Sequence, residues 1–278
     1  MQVDANGTQL WFDVEGAALI PDGATMRQRP TVLLIHGGPG SYDHSYFKPH
    51  FSRLTGVAQV VYLDLRDHGR SARHDPAKWS YEVAADDIRA FCDAIGVEHP
   101  IVLGHSMGSW IVLMYGARHP GHAGALISQN GMARFDMDRL AEGFRRAGGD
   151  EVADVARRAF AGEDVSDEEW APAFAAYGPN VPTPDELSRR TQNLDVDVSG
   201  ELMRDLDVLD QLASITSPTL VCAGELDAVT PVEASQEIYE HLAPGVRSLT
   251  VIPGTGHFPW LDDPERYWAV ITDFIRTR

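Results

Sequence analysis

Cysteine is nearly missing from this chain: Cys92 and Cys222 are the two present. One falls in a helical pattern and the other in a strand pattern, and nothing near either suggests a metal or redox motif. Both are expected to be buried free thiols, which suits a cytoplasmic compartment. Basic residues are also scarce, with 23 Lys and Arg against 41 Asp and Glu and a formal net charge of −18. Phosphate backbones are held by clustered Lys and Arg, so no nucleic-acid partner is expected. The acidity reads as a means of keeping the protein dispersed, with steering of cationic substrates as the alternative. Long apolar runs are lacking too. Stretches such as Val32-Leu33-Leu34-Ile35 are strand-sized and far too short to span a bilayer, so no membrane partner is expected. Met1 to Leu10 has no basic region followed by an apolar one and does not read as a signal peptide.

What is present is the composition of a globular protein, 44% hydrophobic and 23% charged over 278 residues, enough for one large α/β domain with an inserted lid. Short apolar, β-branched runs at Thr31 to Ile35, Val57 to Leu63 and Pro100 to Leu103 alternate with amphipathic segments. That alternation predicts a mostly parallel sheet flanked by helices. Thr8 to Val14 alternates polar with apolar and predicts an edge hairpin. Helices are expected over Val83 to Ile95, stopped by Gly96, and from Ser106 to about Ala117, with Pro120 at the exit. After a strand at Ala125 to Ser128 the character changes: residues 133–206 are rich in Arg, Asp, Glu and Ala and lack convincing strands. They read as a helical insertion, dividing a core of 1–132 and 207–278. Alternation then resumes with strands at Thr219 to Ala223 and Ser248 to Ile252 and helices at Val232 to Leu242 and Pro264 to about Ile275.

Chemistry enters at Gly104-His105-Ser106-Met107-Gly108, directly after Ile101-Val102-Leu103. A serine on a sharp strand-to-helix turn needs neighbours without Cβ atoms, and the turn exposes its hydroxyl beside the helix N-terminus. Serine hydroxyl is a weak nucleophile at neutral pH and needs a base, and the base needs an orienting acid. Downstream, Gly224-Glu225-Leu226-Asp227 and Gly254-Thr255-Gly256-His257 each follow a predicted strand. Both loops would leave the C-terminal edge of a parallel sheet, where ligands bind. Asp227 is preferred as the acid over Glu225, which sits closer to the strand end. His105 is expected to pack below the serine, and His119 and His122 to occupy surface turns. The loop His36-Gly37-Gly38-Pro39-Gly40 can turn backbone N–H groups toward the serine. Gly38 and Met107 are the expected oxyanion donors. No Gly-Lys-Ser/Thr follows the glycines, and the six-residue glycine spacing of dinucleotide sites is absent, so no phosphate or cofactor reading survives.

Together HGGPG, DLRDHGRS (Asp64 to Ser71), GHSMGS, GELDAVTP and GTGHFPW resemble the α/β-hydrolase superfamily, in its proline iminopeptidase-like branch. The resemblance spans nearly the whole chain apart from the insertion. It implies Ser106 as nucleophile, Asp227 as acid, His257 as base, Gly38 and Met107 as oxyanion donors, and residues 133–206 as a cap over the pocket. Two departures bear on substrate. Iminopeptidases of this branch hold the free amino group with acidic residues, one following the catalytic acid, where this chain has Ala228; Asp195, with Asp197 and Glu201 nearby, is the remaining candidate. Peptidases of the branch often carry an aromatic after the serine, where this chain has Met107. The expectation is a cofactor-free, metal-free serine hydrolase acting on a small ester or lactone. An aminopeptidase and a non-catalytic binding protein on the same fold are the alternatives. Trp110, Trp170, Phe174, Tyr177 and Trp260 are set against two readings, acyl-pocket lining and cap-to-core packing. Arg66 and His68 are expected to brace the oxyanion loop.

Overall fold

The computed structural model describes residues 1–75, 78–192 and 206–278. Its strands are β1 (Gln2–Ala5), β2 (Thr8–Glu15), β3 (Leu19–Asp22), β4 (Thr25–Gln28), β5 (Thr31–Ile35), β6 (Gln59–Leu63), β7 (Ile101–His105), β8 (Ala125–Gln129), β9 (Thr219–Gly224) and β10 (Arg247–Ile252). Eight of them form one sheet in the order β1-β2-β6-β5-β7-β8-β9-β10. From β6 to β10 every pairing is parallel, and the antiparallel β1–β2 hairpin closes one edge against β6. The mostly parallel α/β architecture read from the sequence is thus the one observed.

Helices cover both faces because the strands are apolar on both. The helices are α1 (Lys48–Phe51), α2 (Tyr81–Ile95), α3 (Met107–Arg118), α4 (Met137–Gly148), α5 (Asp150–Phe160), α6 (Asp167–Ala175), α7 (Pro184–Ser188), α8 (Val232–His241), α9 (Pro259–Asp262) and α10 (Pro264–Arg276). Leu33, Ile35, Val61, Leu63 and Val102 pack one face against Ile88 and Phe91 of α2 and Ile111 and Tyr115 of α3. Val32, Leu34, Val60, Ile101, Leu103 and Ile127 pack the other against Tyr267, Trp268 and Ile271 of α10. The period-two alternation sends neighbouring residues to opposite layers. Helix α2 starts two residues before its apolar pattern, because the Ser80 hydroxyl accepts the Val83 N–H at 3.2 Å, and it ends at Gly96 with φ of 69°.

One element was not anticipated. β3 and β4 pair as a separate antiparallel hairpin with Leu19 and Met26 exposed. Its four-residue strands carry no apolar alternation, and only the turn Pro21-Asp22-Gly23 marks it in the sequence.

Between β8 and β9 the described chain is helical, α4 to α7. Leu140, Phe144, Ala153, Ala156 and Ala173 form a small apolar centre there, and Ala228 and Val229 from the loop after β9 complete it. This explains Ala228: it is buried against the helices rather than facing a ligand. Asp195, Asp197 and Glu201 lie outside the described residues. No helix among those described is long and apolar enough to cross a membrane.

Candidate active site

Strand register brings the loops together. Ile35 pairs with Gly104, His105 with Gln129, Gln129 with Cys222 and Gly224 with Ile252. The loops bearing Gly38, Ser106, Asn130, Asp227 and His257 therefore leave the same edge of the sheet.

At the elbow Ser106 has φ 55° and ψ −124°, a conformation that costs a side-chain-bearing residue about 1–3 kcal/mol. Close packing holds it there. A Cβ on Gly104 would lie 2.1 Å from the Gly108 carbonyl oxygen, and one on Gly108 would lie 2.2 Å from that of Ile35. Both glycines of the motif are thus sterically required. Ser106 is 9% exposed and lines a pocket of about 50 Å³ with Gly37, Gly38, Trp110, Met132, Phe160, Tyr177, Val229 and His257.

His257 Nδ1 donates to Asp227 Oδ2 at 2.8 Å. That leaves the unprotonated Nε2 as the proton acceptor of the ring. The backbone of His257 is held on both sides: its N–H donates to the Tyr177 carbonyl at 2.7 Å, and its carbonyl accepts from His105 Nε2 at 2.8 Å. Gly256 permits this approach, since a Cβ there would lie 2.3 Å from the Tyr177 oxygen. Asp227 is fully engaged. Besides His257 it accepts from the N–H groups of Val229 (2.8 Å) and Thr230 (3.0 Å), the Thr230 hydroxyl (2.6 Å) and Asn130 Nδ2 (2.6 Å). Burial raises its pKa, but the nearby His257 and the hydrogen bonds of His257, Asn130 and Thr230 outweigh it and hold the carboxyl below the ordinary range.

The glycine-loop side is braced by three neutral histidines, each with one tautomer selected by its partners. His36 Nε2 accepts the Leu65 N–H at 3.1 Å, so Nδ1 carries the proton and donates to the Gly37 carbonyl at 2.6 Å. In a trans peptide C=O and N–H point oppositely, so pinning the Gly37 oxygen aims the Gly38 N–H the other way. His68 Nδ1 donates to the Arg66 carbonyl at 2.8 Å, and its Nε2 accepts the Gly40 N–H at 3.0 Å. His105 Nε2 donates to the His257 carbonyl, so its Nδ1 accepts the Tyr46 hydroxyl at 2.9 Å, whose oxygen in turn accepts the Gly37 N–H at 2.9 Å. One chain of hydrogen bonds therefore joins the glycine loop, the elbow and the His257 loop. Burial holds all three pKa values down: His105 lies well below 6.5, helped by neighbouring His257, His36 is lowered, and His68 falls to about 3. Met107 begins α3, where a first-turn N–H has no acceptor within the helix, and its side chain meets Gly38: a Cβ there would lie 2.8 Å from Met107 Cε.

The residues expected to form the site lie close to one another. Ser106, His257 and Gly38 line one pocket, Met107 adjoins Gly38, and Asp227 stands behind His257. Glu225 instead accepts the Gly254 N–H at 2.8 Å and ties two loops together. His68 secures the glycine loop as expected, whereas the Arg66 side chain pairs with Asp87 of α2 at 2.6 Å and donates to the Asn6 carbonyl, away from that loop. Among the aromatics Trp110 and Tyr177 line the pocket, Trp260 packs against Tyr46, Phe51 and His105, and Trp170 against Phe144 and Phe160. Asn130 and Thr230 were missed. Asn130, a neutral amide that cannot itself be the anion, serves the anion as a donor; Thr230, three residues after Asp227 in the GELDAVTP motif, is the available signal for the other.

Asp43, His44 and Asp64 offer ligand atoms within 4.8 Å of one another. Their carboxylates are already committed: Asp64 accepts from His44 Nδ1 (2.6 Å) and the His44 (3.0 Å) and Arg70 (2.9 Å) N–H groups, and Asp43 from the Ser45 (2.8 Å) and Thr191 (2.7 Å) N–H groups. The cluster works as a loop clasp.

Comparison with known proteins agrees with the fold. Residues 30–264 match the model of the alpha/beta hydrolase fold family. The chain is 25% identical over 261 residues to the AB hydrolase superfamily protein YisY of Bacillus subtilis, covering 87% of this chain and 90% of that one. It is 25% identical over 268 residues to a proline iminopeptidase of Heyndrickxia coagulans, covering 88% and 90%. Among solved structures, the proline iminopeptidase of Mycobacterium smegmatis superposes with a TM-score of 0.78 at 25% identity, covering 100% of this chain and 97% of that one.

Proposed function

The chain belongs to the alpha/beta hydrolase fold family, and from that premise we propose that it is a serine hydrolase cleaving a small carboxylic ester or lactone through an acyl-enzyme. The observation that carries this reading is one pocket shared by the strained Ser106 and by His257, whose other nitrogen is bound to Asp227. In the proposed cycle His257 Nε2 takes the Ser106 proton as Oγ attacks the acyl carbonyl. The Gly38 and Met107 N–H groups hold the oxyanion, and the protonated ring then delivers its proton to the leaving oxygen. Water, deprotonated by the same ring, releases the acid and regenerates Ser106. Asp227 keeps the ring in the Nδ1–H tautomer and stabilises its charged form.

An ester or lactone fits better than an amino-terminal peptide bond. The lining, among the described residues, has no carboxylate to receive a free α-amino group, and Ala228 is committed to the packing of α4 to α6. Bringing a primary ammonium into such a site without a partner costs several kcal/mol. The small volume favours short acyl groups. Residues 133–206 are read as the cap, since Phe160 and Tyr177 from this segment contribute to the lining.

The test is a turnover panel of aryl esters, lactones including acyl-homoserine lactones, and amino-acid anilides, with fluorophosphonate labelling read by mass spectrometry. Ester or lactone turnover and a label on Ser106 are expected, with Ser106→Ala losing roughly 10³-fold or more. Cleavage of proline anilide alone would overturn the substrate class. An unlabelled serine without turnover would make the protein a receptor.

A further inference from the structure

Trp110 stands in the pocket lining and is 3% exposed, yet its indole Nε1–H has no acceptor among the described residues. No other lining side chain carries a fully buried polar atom without a partner. The phenol of Tyr46 is engaged by Gly37 and His105, and the ring of His105 by Tyr46 and His257. Elsewhere in the same lining Met132, Phe160 and Val229 offer no side-chain acceptor stronger than a thioether sulfur. An indole nitrogen is a donor only, and a buried donor with no acceptor costs about 1–3 kcal/mol.

Its position is defined relative to the chemistry. Trp110 follows Ser106 by four residues on α3, an axial rise of about 6 Å, and helical side chains lean toward the N-terminus, here toward the serine. The ring meets Tyr81 edge to face at 5.9 Å and 64°. The donor is thus carried about one turn along the helix that begins directly after the serine.

We propose that Trp110 is a specificity-determining residue whose indole N–H receives an oxygen acceptor, a ketone, amide or ether oxygen, borne on the acyl part of the substrate a few atoms from the scissile carbonyl. This deepens the ester and lactone reading and rests on it. The favoured substrates are oxygenated acyl esters or lactones, and a plain alkyl chain leaves the N–H unpaired. A site with a buried donor discriminates in this way because the analogue lacking the acceptor leaves the protein group unsatisfied.

The experiment compares kcat/KM for 4-nitrophenyl pentanoate with its 4-oxopentanoate and 3-methoxypropanoate counterparts. An oxygenated chain should be preferred by about tenfold, the scale of one neutral hydrogen bond. In Trp110→Phe, or with benzothienylalanine at position 110 to keep the bicyclic shape without the N–H, the preference ratio should fall to about one. The indole N–H resonance of Ser106→Ala, read by ¹⁵N-tryptophan NMR, should move downfield with methyl 4-oxopentanoate and stay in place with methyl pentanoate. Equal use of all three esters with an unmoved resonance would overturn the inference, assigning the N–H to water, and turnover of pentanoate would leave the hydrolase reading intact. A moved resonance with no turnover of any ester would instead remove the hydrolase reading and keep the acceptor site. A preference that survives both replacements at position 110 would also overturn the assignment.

Discussion

The two flanks of the site are wired in opposite ways. On the acid–base flank a single buried carboxylate, Asp227, gathers donors from Asn130, Val229, Thr230 and His257. On the glycine-loop flank, the proposed oxyanion side, His36, His68 and His105 hold the loop without carrying charge. The difference follows from what each flank is asked to stabilise. In the proposed cycle a ring that becomes cationic gains from a fixed anion behind it, whereas a protonated brace would lose its acceptor nitrogen and release the donor it holds. Charge stands directly behind the ring on one flank, while the histidines that hold the glycine loop on the other are neutral.

The sharpest way to break this comparison is to remove the charge where it resides. Asp227→Asn should lower kcat by roughly 10⁴-fold with the fold retained, because the amide favours the wrong tautomer of His257; circular dichroism and steady-state kinetics check it. A loss under tenfold would mean that the anion is dispensable. On the opposite flank His36→Ala frees the Gly37 carbonyl and with it the aim of the Gly38 N–H. The expected cost is about 10²-fold in kcat with KM little changed, as for a weakened oxyanion donor. If KM rises instead and kcat holds, the loop serves binding. Asn130→Ala removes one donor among several from Asp227, so about tenfold in kcat and about 1–2 kcal/mol of stability in urea titration are expected.

Acid titration of stability separates the flanks with the smallest effect per step. The three depressed histidines bind fewer protons in the fold than in the unfolded chain, so their contribution is complete above the ordinary value of 6.5 and is lost as pH falls below it, for His68 across the span down to about 3. Asp227, also depressed, contributes fully above the ordinary 3.8 and loses that only at lower pH. Tm should therefore begin to fall near pH 6, well before carboxylates titrate. His68→Gln should make that early slope shallower by about 1.4 kcal/mol per pH unit, one proton's worth. A Tm flat down to pH 4 would show the histidines to be charged in the fold.

Much of this was legible in the chain because it is local. The glycines flanking His105-Ser106-Met107 announce a turn too tight for Cβ atoms, and the apolar runs of β5, β7, β8 and β9 announce buried parallel strands. Other features were not legible because nothing local encodes them. Asn130 reads as a loop amide until β8 and β9 pair and place it 2.6 Å from Asp227, and the weak hairpin of β3 and β4 has no periodicity to betray it. Ala228 read as a departure in a binding site, and burial among Leu140, Phe144 and Ala173 gives it a packing role instead.

The sequence by itself determined the succession of parallel strands and the helices between them, the elbow and the residue types able to do acyl transfer, because these rest on backbone sterics and side-chain chemistry a few residues wide. Only the tertiary structure decided which nitrogen of each histidine bears its proton, which donors converge on Asp227 and which tryptophan meets the pocket with an unpaired N–H. Several of these rest on contacts between distant segments, Asn130 with Asp227 across 97 residues and His105 with His257 across 152, and no local pattern specifies a hydrogen bond whose partner arrives from a different strand.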